Sequence, residues 1–85
     1  MTAMEAKEIL AKNWWMNNNP SFPHQDYEIT MGEVVRETDE TDYFPNSYII
    51  SALITKKSEN QTVDSYEDFA VSKETGECQH AILFL

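Results

Sequence analysis

Cysteine is nearly missing: Cys78 is the only one in 85 residues. A lone thiol closes no intramolecular disulfide and builds no cysteine cluster for zinc. A reducing compartment is therefore expected, with cytoplasmic residence as the default. Glycine occurs only at Gly32 and Gly76, and neither opens a helical pattern, which excludes a glycine-rich phosphate loop. Positive charge is scarce as well. Six Lys and Arg face fifteen Asp and Glu, for a net charge of −9. Binding a phosphate backbone needs counter-charge, so no direct nucleic-acid partner is expected. Such a balance favours a basic protein partner, although acid also serves simply to keep a small chain in solution. No apolar run approaches the ~20 residues of a membrane helix. The opening Met1-Thr2-Ala3-Met4-Glu5 has neither a basic region nor an apolar signal core, so no membrane segment and no leader is expected.

What is present is a globular composition: 41% hydrophobic residues, with four Tyr, four Phe and two Trp. This length accommodates one domain, residues 1–85, around one core. A chain so short buries only ~60–65% of its unfolded surface, so modest stability is expected.

The chain is organised around Tyr48 to Thr55. Tyr48, Ile50, Ala52 and Ile54 alternate with Ile49, Ser51 and Leu53. A strand apolar on both faces belongs in the middle of a sheet. Ahead of it, Thr2 and Glu5 have the spacing of a capping box. Ala3, Ala6, Ile9, Leu10 and Trp14 then form one helical stripe to about Asn17. Trp15 leaves the stripe; it either folds under the following loop or stands exposed as an anchor. Asn17-Asn18-Asn19-Pro20 ends the helix, and Phe22 is expected to pin the Pro-containing loop that follows. Asp26 to Val35 alternates as a strand with one wet face, and a bulge at Gly32 would bring Val34 or Val35 inward. Lys56 to Gln61 is a polar connection. A third strand carries Val63, Tyr66, Phe69 and Val71, with a bend expected near Asp64–Asp68 where the spacing breaks. Lys73-Glu74-Thr75-Gly76 reads as a hairpin turn. The last strand, Glu77 to Leu85, puts Cys78 and His80 on one face and ends in an apolar run that needs a cover. The fold class is α+β: an N-terminal helix packed on an antiparallel sheet of about four strands, with the covered face left open.

No nucleophile–base arrangement is visible, and no enzyme is expected. Cys78-x-His80 matches an ordinary strand face as well as a metal pair, and Asp39, Glu40 and Asp42 lack the spacing and glycine of an EF-hand. Neither a metal nor a cofactor is expected. Surface remains. Arg36 is the only base between Asp26 and Phe44, against seven acids. The segment 36–45 reads either as an acidic loop tipped by Tyr43 and Phe44 or as a solvated connection with its rings folded back. On the first reading Glu37, Asp39, Glu40 and Asp42 attract a basic partner, while Tyr43, Phe44 and Trp15 anchor it.

Ala3, Ala6 and Ile9 on the helix, with Val71, Lys73, Thr75, Gly76 and Glu77 at the last hairpin, resemble two groups of small bacterial domains. One is the PepSY-type domain; the other is the short immunity proteins with a cystatin-like helix-plus-meander fold. The resemblance covers the first helix and the last hairpin, and it implies a non-enzymatic binding role. The expected function is thus an inhibitor of the immunity or phage counter-defence kind that occludes a basic surface. The alternative is a small assembly domain that forms a homodimer through its C-terminal strand.

Overall fold

The computed structural model describes residues 1–16, 22–57 and 63–81. Helix α1 (Ala3–Glu8) starts as its spacing dictates. Thr2 Oγ1 accepts from the Glu5 amide at 3.2 Å, and the Glu5 carboxylate accepts from the Thr2 amide at 3.0 Å. From Ile9 to Trp15 the helix widens into a π-helical stretch. Its i→i+5 bonding places more residues in each turn than an α-helix does. Both tryptophans are thereby held against the body: Trp14 meets Phe69 edge-on at 5.3 Å, and Trp15 stacks on Phe22 at 6.2 Å. The expected cap at Asn17–Pro20 lies outside the described residues.

Four antiparallel strands follow in the order β1-β2-β3-β4: β1 (Tyr27–Glu37), β2 (Ser47–Lys56), β3 (Val63–Ser72) and β4 (Cys78–His80). As its two apolar faces require, β2 is central. The helix covers the face of Tyr48, Ile50, Ala52 and Ile54, together with Phe69 and Val71 of β3. Leu10, Ile50, Phe69 and Val71 are fully excluded from solvent.

One expectation about the strands is corrected. β3 has no bend; its ten residues pair with β2 without a break in register. The irregular spacing arises because Tyr66 belongs to the opposite face from Phe69 and Val71, while polar Ser65 and Glu67 occupy helix-facing positions. Glu67 is satisfied there by His80, Nε2 to Oε2 at 2.9 Å, and the His80 ring stacks on Phe69. Of the last strand expected over Glu77–Leu85, the described part is Cys78–His80; residues 82–85, four of the nine in the proposed dimer strand, lie outside the described residues. The connection at 58–61 does so too.

β1 carries the irregularity expected at Gly32. Its register against β2 shifts between Met31 and Val34 and again between Val34 and Arg36. Val34 turns inward and Val35 stays exposed. Glycine is required here by close approach, since a Cβ at position 32 would stand 2.6 Å from the Ser51 carbonyl oxygen. Gly76 serves a different need: with φ at 75° it closes the β3–β4 turn, its amide donating to the Ser72 carbonyl at 2.9 Å. Gly32→Ala is expected to force β1 away from β2 and to cost about 1–3 kcal/mol, read as a lowered urea midpoint. An unchanged midpoint would show that the contact relaxes freely.

Candidate functional site

The segment Thr38–Asn46 joins β1 to β2, and its conformation is set from within. Thr38 is buried. Its hydroxyl donates to the Phe44 carbonyl and accepts from the Ser47 amide at 2.7 Å, while its own amide donates to the Ser47 carbonyl at 2.8 Å. Asp39 accepts from the Thr41 amide at 2.9 Å and from the Thr41 hydroxyl at 2.6 Å. Asp42 accepts from the Phe44 amide at 3.1 Å and pairs with Arg36. Asn46 takes positive φ, 48°, and donates its amide to the Asp39 carbonyl at 3.0 Å. These bonds hold both carboxyls below the ordinary Asp value of 3.8, through Thr41 for Asp39 and through the Phe44 amide and then Arg36 for Asp42.

Phe44 is not an anchor for a partner. It is 4% exposed and forms a second apolar cluster with Ile49, Ala70 and Ala81, on the sheet face away from the helix. Trp15, at 3% exposure, is likewise withdrawn as an anchor. Magnitude decides both cases: burying a large apolar side chain contributes ~1.5–3 kcal/mol, and nothing in the isolated chain offsets its loss. Tyr43 alone of the three rings is free, 88% exposed, with its edge on Phe44 at 4.9 Å. Glu37 diverges from the loop. It pairs in register with Tyr48 on the helix side, where Lys73 lies 3.4 Å from its carboxylate and stacks over the Tyr48 ring. Of the acids named from sequence, Glu40 is the exposed one that makes no hydrogen bond or ion pair among the described residues.

Pairing register also defines a surface that sequence reading missed. On the face away from the helix, side chains form rows: Glu28–Thr55–Asp64, then Thr30–Leu53–Tyr66, then Ser51–Asp68, then Arg36–Ile49–Ala70–Gln79. Phe44 covers the last row. Tyr66 is 78% exposed. The parity of positions 66, 69 and 71 was the available signal: an even position cannot share a strand face with two odd ones.

Elsewhere the chemistry is quiet. Burial pushes the Cys78 thiol up to about 11, so it stays protonated at neutral pH and is a poor nucleophile. Among the described residues, no group of three or more His, Cys, Asp or Glu could hold a metal ion. No helix among them is long and apolar enough to cross a membrane. Comparison with protein-family models, curated proteins and solved structures finds no match.

Two outcomes are expected for the loop. Thr38→Val keeps the shape but leaves the Ser47 amide and the Phe44 carbonyl without their partner, at a cost of about 1–3 kcal/mol in urea unfolding; a neutral result would mean that water replaces the hydroxyl. Carboxyls depressed by folding contribute stability above their ordinary pKa and lose it as pH falls through the folded value. Exchange protection of the Thr41 and Phe44 amides should therefore hold from neutral pH to about pH 4 and fall below it. Protection indifferent to acid would refute the stapling role of Asp39 and Asp42.

Proposed function

We propose that this chain is a small acidic binding protein without enzymatic activity, an inhibitor of the immunity-protein or phage counter-defence kind that occludes a basic surface on a partner protein. One observation carries the reading: an almost fully exposed tyrosine, Tyr43, and the exposed Glu40 share a loop locked by its own hydrogen bonds. A preorganised aromatic anchor loses little entropy on binding. The net charge of −9 supports fast encounter with a positive surface.

The loop's internal bonds dictate how the reading is tested. Asp39 and Asp42 maintain the fold of the loop, so reversing them would damage it. Glu40→Lys combined with Tyr43→Ala leaves every staple in place. In affinity capture from a host lysate, wild type is expected to retain a basic protein that high salt releases, and the double variant to lose it. Retention of the same proteins by both forms, or capture of acidic proteins only, would refute the proposal.

A further inference from the structure

The open sheet face has a layout that specifies the partner's chemistry more narrowly. Tyr66 is exposed within one row of this face, while Tyr43 is exposed on the loop that lids another. Tyr66 lies beside Leu53, while Tyr43 rests on Phe44 above the row of Ile49 and Ala70. The rows are four residues apart along β3, ~13 Å at strand rise. Asp68 lies between them, half-buried, and its carboxylate has no hydrogen bond or ion pair among the described residues. Two bases reach this face, and both are engaged: Arg36 by Asp42 and Lys57 by Glu28.

An unpaired carboxylate between two apolar islands is complementary to a cation between two apolar side chains. An extended strand places residues i, i+2 and i+4 on one side, with i and i+4 also ~13 Å apart. We infer that this face binds an extended protein segment carrying Lys or Arg at one position and apolar side chains two residues before and after it. The cation meets Asp68, and the apolar side chains meet Leu53 with Tyr66 at one end and Tyr43 at the other. Sheet-on-sheet packing of this kind needs no change in the backbone of either partner. The inference rests on the binding role proposed above and adds where the partner sits and what it presents.

The probe is a synthetic peptide, Gly-Ser-Leu-Thr-Arg-Thr-Leu-Ser-Gly, with its twin carrying Glu for Arg, each titrated into the isotopically labelled full chain and followed by amide chemical shifts. The Arg peptide is expected to move the amides of Leu53, Tyr66 and Asp68, and the Glu peptide to leave them still. Asp68→Asn and Tyr66→Ser, both at solvent-accessible positions and checked for a native spectrum, should each weaken binding about tenfold. Shifts confined to the helix side or to the loop tip would overturn the location while leaving the binding role intact. Equal response of these amides to both peptides would overturn the partner chemistry, and no response to either would overturn location and chemistry together. Concentration-dependent dimerisation abolished by Tyr66→Ser would assign the face to a second copy of the chain. Movement of the Tyr66 signals on removal of residues 82–85 would assign it to the chain's own end. Either result would also contradict the inference.

Discussion

β2 is apolar on both faces, and among the described residues the chain has one helical element to cover them. That mismatch governs the structure. The helix takes the face with Ile50, Ala52 and Ile54, because only that face continues into Phe69 and Val71. The other face begins apolar at Ile49 and Ala70 and turns polar in the next row, at Ser51 and Asp68. Phe44 is enough to cover its apolar end. The acidic loop therefore folds back as a second, smaller lid, and its staples exist to keep Phe44 in place.

That arrangement assigns the acids different tasks. Asp39 and Asp42 spend their lone pairs on Thr41, Phe44 and Arg36. Glu37 belongs to the strand and to Lys73, and Glu67 to His80. What the composition presents as one block of negative charge separates into carboxylates that hold the fold and others, such as Glu40 and Asp68, whose carboxylates make no hydrogen bond or ion pair among the described residues. A large formal charge is thus a poor measure of the charge available to a partner.

Much of the fold was legible in the residues. The capping box, the central strand, the irregularity at Gly32 and the glycine turn at position 76 each follow from local stereochemistry, and each is found. The helix-covered face was not legible, because Ile49 and Leu53 are as apolar as Ile50 and Ile54; the choice is made by β3. Nor was the site. Tyr43 and Phe44 are adjacent and similar in composition, yet one is exposed and the other buried. What separates them is the hydroxyl of Thr38, a residue with no signal of its own in the sequence. Trp15 is inside because the helix widens at Ile9, a change that 3.6-residue periodicity cannot register.

The central claim is that, among the described residues, the sheet is covered on one side by the helix and on the other only at its Phe44 end. Relaxation enhancement of protein signals by a soluble, uncharged gadolinium chelate tests it most directly. The side chains of Thr30, Leu53, Tyr43 and Tyr66 should be strongly broadened, while Ile49, Ile50, Ala52, Phe44 and Trp15 should be spared. Protection of Leu53 and Tyr66, or broadening of Phe44 and Ile49, would contradict the account.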